Sequence, residues 1–169
     1  QPEIVEKPQL LIVGFEASFI HALSPDANNF EVIGPLWEKI CHDDYKISHR
    51  LGQEMYGVVY PRPEAERSHP DELQYVAGVA VSEACDLPEG MVLHVVVPHT
   101  FALFTHRGPI AKIADNCREI YRNWLPNSRY EHAGIADVEV YDERFDPCGE
   151  DSVMEYWISV RPKAKENDG

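Results

Sequence analysis

Basic residues are scarce in this sequence of 169 residues: 15 Lys and Arg stand against 29 Asp and Glu, so the formal net charge is −14. A field of this sign repels phosphate backbones and argues against direct binding of DNA or RNA by the chain itself. The same field favours solubility and attracts cations. We therefore expect partners that are cationic or neutral.

Long hydrophobic runs are also missing. The longest, Met91 to Val97, is interrupted by His94, whereas a membrane helix needs about 20 apolar residues. The start of the chain, Gln1-Pro2-Glu3, lacks the basic region of a signal peptide. We therefore expect no membrane association and a cytoplasmic location.

Metal and disulfide motifs are lacking as well. The four cysteines are 44, 32 and 31 residues apart and form no CxxC pair, which indicates reduced thiols in the cytoplasm. The eight histidines form no HxH or HExxH motif. The run from Cys41 to Asp44 lies on a predicted helix, where adjacent side chains point in different directions and cannot converge on one ion.

Phosphate-binding and nucleophile motifs are absent too. The sequence contains no Walker A motif, no GxGxxG and no GxSxG. We therefore predict no cofactor and no metal.

Apolar periodicity predicts two helices and six strands. The helices are predicted over 33–44 and 109–124, and the strands over 9–15, 55–60, 73–82, 91–106, 137–142 and 152–160. This order, β-α-β-β followed by β-α-β-β, predicts a single α+β domain with an antiparallel sheet and both helices packed on it.

Acidic and aromatic residues alternate in the last two predicted strands. Within each strand the period of two places Glu139 with Tyr141, and Glu155 with Trp157. If their apolar neighbours pack beneath the helices, these four side chains line the other face together. Carboxylates framed by rings suit an organic cation. The alternative, more common for alternation alone, is an ordinary solvent-facing side of a sheet.

Four segments resemble motifs of one family. They are the strand-to-helix junction Phe101–Gly108 (FALFTHRG), the helix end Ile120–Tyr130 (IYRNWLPNSRY), and the strands Asp137–Tyr141 (DVEVY) and Tyr75–Val81 (YVAGVAV). Together they resemble the GyrI-like small-molecule-binding domain, also called the AraC-type or bacterial transcription activator effector-binding domain. The resemblance covers residues from about 5 to 162.

The resemblance implies a fold. It is a duplicated β-α-β-β (SHS2-type) module, with one curved antiparallel sheet and two helices flanking a central ligand cleft. We expect residues 1–169 to form this single domain, with a core over about 5–162 and a polar tail over 163–169. Because the fold uses almost the whole chain, we expect a stand-alone member without a helix-turn-helix domain.

The resemblance also implies a ligand site centred on Glu139 among aromatic rings. Phe101 stands where many members have Tyr, so a phenolic hydrogen bond is expected to be missing. The predicted ligand-binding residues are Trp37, Tyr56, Phe101, Glu139, Tyr141, Glu155 and Trp157.

Several functions follow from these expectations. The leading hypothesis is a protein that binds or senses lipophilic, cationic drugs or toxins. The second is a hydrolase of cyclopropane-containing alkylating toxins, in which Glu139 activates water and Trp157 or Tyr141 holds the electrophile. The third is an interaction protein acting on DNA gyrase or on a transcription regulator. The fourth is an orphaned sensor domain without activity.

Overall fold

The computed structural model describes residues 2–84, 86–146 and 149–165. Within them the chain forms eight strands and two long helical segments. The strands are β1 (Glu3–Lys7), β2 (Leu10–Ile20), β3 (Met55–Tyr60), β4 (Glu72–Val81), β5 (Val92–Val96), β6 (His99–Arg107), β7 (Tyr130–Tyr141) and β8 (Val153–Pro162).

The helices differ in regularity. Helix α1 (Asn29–Asp43) is continuous, whereas α2 consists of an α-helical part (Ile113–Glu119), a π-helical turn (Ile120–Trp124) and a final α-helical turn (Leu125–Asn127). A π-turn widens the helix locally and often lies at a functional site, where it changes the direction of its side chains. None of the described helices is long and apolar enough to cross a membrane.

The sheet is antiparallel throughout, with the strand order β1-β6-β8-β7-β3-β4-β2-β5. The units β2-α1-β3-β4 and β6-α2-β7-β8 are the predicted duplication, so the α+β fold class is confirmed. The central pair, β3 with β7, joins the two halves. Each half also receives an edge strand from the other part of the chain, because β1 pairs with β6 and β5 pairs with β2.

The two faces of the sheet are covered differently. On one face α1 buries Leu36 and Ile40 against β2 and β4, and α2 buries Ile120 against β8. The opposite face carries an apolar cluster that includes the fully buried Val58 and Val138. We call these the helix face and the opposite face. Among the described residues no α-helix contributes to the cluster on the opposite face.

The predicted elements are all present, with different bounds. Strand β3 matches the predicted 55–60, but α1 begins four residues earlier than predicted, at Asn29. The run 91–106 is two strands, because Pro98 cannot donate to the ladder. Strand β1 was not predicted, since its short sequence EIVEK is mostly charged.

Candidate functional site

Glu139 lies in the middle of the sheet, in the strand pair that joins the two halves. It pairs with Gly57 of β3 on one side and with Tyr156 of β8 on the other. A Cβ atom at position 57 would collide with the Tyr75 hydroxyl and the Glu139 carboxylate. Glycine at this position therefore makes room for both polar groups above the strand.

Two phenols hold the same carboxylate oxygen. The hydroxyl of Tyr75, on β4, donates a short hydrogen bond to Glu139 Oε1, and the hydroxyl of Tyr141 donates to the same atom at 3.1 Å. Trp37 of α1 extends this chain, because its Nε1 donates to the Tyr75 oxygen at 3.1 Å. The described residues donate no hydrogen bond to Glu139 Oε2, and the side chain is only partly buried.

The rings of Trp37, Tyr75 and Tyr141 lie around this carboxylate, and a fourth ring, Phe145, packs on Tyr141. Trp37 packs edge-to-face against Tyr141, with the ring centroids 5.2 Å apart, and against Tyr75, with the centroids 6.3 Å apart. Phe145 packs on Tyr141 at 4.6 Å. Edge-to-face contacts of this kind are favourable and fix the orientation of each ring. These contacts therefore favour one arrangement of the rings around the carboxylate.

The surroundings of Glu139 disfavour its charge. Burial raises the pKa of Glu139, while the hydrogen bonds from Tyr75 and Tyr141 oppose this rise, and the nearby Asp137 charge adds to it. Burial, followed by the charge of Glu139, raises the pKa values of Tyr75 and Tyr141 well above the usual range. Both phenols therefore stay protonated and act as donors.

A second carboxylate, Asp137, lies on the same face, but both of its oxygens have hydrogen-bond partners. Its Oδ2 accepts from Tyr121 of α2 at 2.5 Å and more weakly from Tyr156 at 3.4 Å. Its Oδ1 contacts His132 Nε2 at 2.9 Å and accepts from the backbone N–H of Ser159 at 3.2 Å. Asp137 thus links the π-turn of α2 to the sheet through hydrogen bonds to both of its oxygens. Glu139, in contrast, accepts hydrogen bonds from the described residues at Oε1 only.

Helix α2 borders the carboxylates from the side opposite to α1. Burial raises the pKa of the Cys117 thiol to about 12, and the charges of Glu139 and Asp137 add to this. The thiol is therefore protonated and a poor nucleophile. Glu139 thus lies between Trp37 of α1 and Cys117 of α2.

A cavity with both polar and apolar lining residues lies beside Cys117 and Tyr156. It has a volume of about 350 Å³ and is lined by Phe104, Cys117, Ile120, Trp124 and Tyr156, among others. Phe104 and Trp124 meet edge-to-face at 5.2 Å. Because Tyr156 is the register partner of Glu139, the cavity offers aromatic surface next to the carboxylate.

The predicted common face of Glu139, Tyr141, Glu155 and Trp157 is wrong. Strand β8 pairs Tyr156 with Glu139, and Trp157 with Val138. Glu139 and Tyr141 therefore lie on the helix face, and Glu155 and Trp157 on the opposite face. Alternation within one strand does not determine its register against the next, and a shift of one residue exchanges the faces.

The other predicted ligand-binding residues divide in the same way. Trp37 joins Glu139 and Tyr141, whereas Phe101 packs against Trp157 at 5.9 Å on the opposite face. Tyr56 is on that face too, since both it and Glu155 pair with Val140. Trp37, Glu139 and Tyr141 are thus brought together, and Tyr56, Phe101, Glu155 and Trp157 are placed elsewhere. The important residue that sequence reasoning missed is Tyr75.

No group of three His, Cys, Asp or Glu side chains within residues 2–84, 86–146 and 149–165 is arranged to hold a metal ion. Cys41 is exposed and Cys117 partly buried, and both are free thiols. The remaining cysteines, Cys85 and Cys148, lie outside the described residues.

Comparison with known proteins gives a family and several relatives. The profile of the GyrI-like small molecule binding domain matches residues 1–161. The transcriptional regulator BrlR of Pseudomonas aeruginosa is 32% identical over 159 residues, which are 93% of this chain and 54% of BrlR. The chain thus spans about half the length of this relative.

Solved structures share the fold at low sequence identity. The structure of SAV2435 bound to tetraphenylphosphonium has a TM-score of 0.72 and 13% identity, over 95% of this chain and 94% of that one. The C-terminal domain of EcmrR has a TM-score of 0.67 and 13% identity, over 96% and 98% of the two chains. At these identities the likeness establishes the fold alone.

Proposed function

This chain belongs to the GyrI-like small-molecule-binding family, and on that basis we propose that it binds a lipophilic organic cation in the cleft between α1 and α2, with Glu139 as the counter-charge. The observation that carries the proposal is the asymmetry of this carboxylate. Tyr75 and Tyr141 both donate to Oε1, and none of the described residues donates to Oε2. An approaching cation would meet Oε2 without first breaking a hydrogen bond.

The aromatic frame favours a cation over a neutral ligand. Trp37 and Tyr141 present π-systems beside the carboxylate, and a desolvated cation over such rings gains about 0.5–2 kcal/mol. A quaternary ammonium or phosphonium ion suits this site because it needs charge and ring contacts rather than hydrogen-bond acceptors. The neighbouring cavity, to which Phe104 and Trp124 contribute aromatic surface, would take its hydrophobic substituents.

Two further observations support a cationic ligand. The chain carries a formal net charge of −14, which draws cations towards the protein. The structural neighbour SAV2435 was solved with tetraphenylphosphonium. This compound is therefore a suitable first probe.

The structure leaves one of the two forms of the hydrolase hypothesis. It offered Trp157 or Tyr141 as the residue that holds the electrophile near Glu139, but Trp157 is on the opposite face and cannot contact the same substrate. The version with Tyr141 stands as a second proposal. A carboxylate whose pKa is raised by burial is a better general base than an ordinary one. Turnover of a cyclopropane-containing alkylating agent, lost in Glu139→Gln, would separate catalysis from binding.

We also propose a regulatory context. BrlR is a transcriptional regulator and is about twice the length of the matched region. A domain of this family would then report the presence of its ligand to a transcription regulator. Ligand-dependent association with such a regulator is the corresponding measurement.

The decisive binding experiment compares two glutamates on neighbouring strands. Glu139→Gln should weaken tetraphenylphosphonium binding by about 1–3 kcal/mol, because only the charge-assisted contribution is lost. Glu155→Gln removes the same charge from the opposite face and should leave the affinity almost unchanged. Neutral triphenylphosphine oxide should bind more weakly than the cation and should not distinguish Glu139→Gln from the parent. An equal loss of tetraphenylphosphonium affinity in both variants would show that only the net charge of the protein matters, and it would contradict the proposal.

A further inference from the structure

Phe145 is an aromatic residue that packs next to the proposed cation site. It belongs to the segment over residues 142–146, which follows β7. Its ring meets that of Tyr141 edge-to-face, with the centroids 4.6 Å apart and the planes at 68°. Tyr141 also packs against Trp37 at 5.2 Å. The Tyr141 ring is therefore in contact with one ring from α1 and with one from the segment after β7.

Hydrogen bonds hold the segment that carries Phe145. The guanidinium of Arg144 donates to both carboxylate oxygens of Asp142, at 2.9 Å from Nε and 2.7 Å from Nη2. The backbone N–H of Phe145 donates to the Asp142 carbonyl at 3.0 Å, and the Arg144 carbonyl accepts from the N–H of Val153, on β8, at 3.0 Å. These bonds fix the backbone on which the Phe145 ring is placed.

The hydrogen bond from Tyr141 to Glu139 depends on where the Tyr141 ring lies. Its hydroxyl donates to Glu139 Oε1 at 3.1 Å, which is at the long end of the range for an O–H···O bond. A small rotation of the ring would therefore break this bond. The edge-to-face contact with Phe145 opposes such a rotation, because these contacts prefer a defined geometry.

From these contacts we propose that Phe145 is a positioning residue of the cation site, which holds the Tyr141 hydroxyl on Glu139 Oε1 and thereby favours the ionised carboxylate that a cation requires. This inference deepens the proposed function and rests on it. A carboxylate that accepts hydrogen bonds ionises more readily than one without them. Phe145 acts through Tyr141, so its effect on binding follows the charge of Glu139 rather than a contact of its own with the ligand.

The other titratable groups around Glu139 do not replace this donor. They come from the neighbouring elements and are Tyr75 on β4, Asp137 on β7, Tyr156 on β8 and Cys117 on α2. Among the described residues only Tyr75 and Tyr141 donate hydrogen bonds to the carboxylate, and both bonds lower the pKa of Glu139. The charge of Asp137 raises it. A displaced Tyr141 hydroxyl should therefore raise the pKa of Glu139.

The first test measures the pKa of Glu139 without any ligand, by NMR titration of its carboxyl carbon in the whole chain. Phe145→Leu keeps an apolar side chain but removes the ring, so the pKa should rise above that of the parent. Tyr141→Phe keeps the ring and removes the hydroxyl, so adding Phe145→Leu to it should cause no further rise. Phe30→Leu is the control, since Phe30 is 72% exposed on α1, and it should leave the pKa unchanged. An unchanged pKa in Phe145→Leu, or an equal rise in the Tyr141→Phe background, would overturn the proposal.

The second test follows tetraphenylphosphonium affinity with pH. Below the pKa of Glu139, Phe145→Leu should bind about two- to tenfold more weakly than the parent, since one hydrogen bond to the ionised carboxylate is lost. At higher pH, where Glu139 is ionised in both proteins, the two affinities should converge. A direct contact between Phe145 and the ligand would weaken binding by the same factor at every pH, and that result would overturn the proposal. If tetraphenylphosphonium does not bind even the parent, the proposed function is wrong, whereas the ligand-free pKa still decides the role of Phe145.

Discussion

Gly57 and Glu139 lie directly opposite each other in the strand pair that joins the two halves of the sheet, and the missing side chain of Gly57 is what allows the Tyr75 hydroxyl to reach the Glu139 carboxylate. The site therefore depends on a residue that has no functional group of its own. It also depends on both halves of the duplication, because Tyr75 comes from β4 and Glu139 from β7.

Substitution of this glycine should damage both the fold and the site. Gly57→Ala places a methyl group against the Tyr75 hydroxyl and the Glu139 carboxylate, so we expect a loss of about 1–3 kcal/mol in the free energy of unfolding. Urea denaturation measures the stability, and tetraphenylphosphonium titration measures the site. Gly34→Ala, in α1, is the control, since nothing lies within 4 Å of its new Cβ. If Gly57→Ala were as stable as the parent, Tyr75 and Glu139 would be able to move away from the new methyl group without loss of stability, and the prediction would be wrong.

Removal of the Tyr75 hydroxyl should change the environments of both Glu139 and Trp37. In Tyr75→Phe, Glu139 loses a hydrogen bond that lowers its pKa, and Trp37 Nε1 loses its acceptor. We expect the pKa of Glu139 to rise further and the free energy of unfolding to fall by about 1–2 kcal/mol. NMR titration of the Glu139 carboxyl carbon and urea denaturation provide the two readings. Tyr45→Phe, at a residue that is 75% exposed, should change neither.

Asp137 should prove structural rather than ligand-binding. Asp137→Asn removes the charge that Tyr121, His132 and the Ser159 N–H all contact, so we expect a loss of about 2–4 kcal/mol in stability. Asp115→Asn, at an exposed position on the same helical segment as Tyr121, should have little effect. Thermal denaturation of both variants makes the comparison. Equal stability would mean that Asp137 does not hold α2 on the sheet.

Cation affinity should depend on pH through Glu139. Because its folded-state pKa is raised above 4.5, the empty site is protonated at low pH and ionises only as pH rises through that higher value. Tetraphenylphosphonium affinity should therefore rise with pH and then level off. The affinity of Glu139→Gln should stay constant over the same range.

The stability of the empty protein should change in the opposite sense. A raised pKa means that the folded state favours the protonated acid, so this contribution is complete below pH 4.5 and is lost as pH rises through the folded-state pKa. Glu139→Gln should therefore gain stability relative to the parent as pH increases. Urea denaturation of both proteins at several pH values provides the comparison, and a constant difference would contradict a raised pKa.

The sequence predicts the positions of helices and strands better than it predicts how the strands pair with one another. Apolar periodicity located both helices and the bounds of β3, because a regular pattern is local information. Strand register is not local, and for that reason Glu155 and Trp157 were assigned to the wrong face. The sequence does not reveal the role of Tyr75, although its segment YVAGVAV is predicted as a strand. Its hydroxyl reaches Glu139 only because β4 pairs with β3 and β3 in turn pairs with β7.

The most direct test of the central claim is the pKa of Glu139 itself, measured by NMR on the carboxyl carbon with and without tetraphenylphosphonium. In the empty protein we expect a pKa above the ordinary value of 4.5, because partial burial removes water from the carboxylate and disfavours its charged form. The bound cation should lower this pKa, and by linkage the decrease should match the rise of affinity with pH. A pKa that is unaffected by saturating tetraphenylphosphonium would show that the cation does not contact Glu139, and the account of this site would then be wrong.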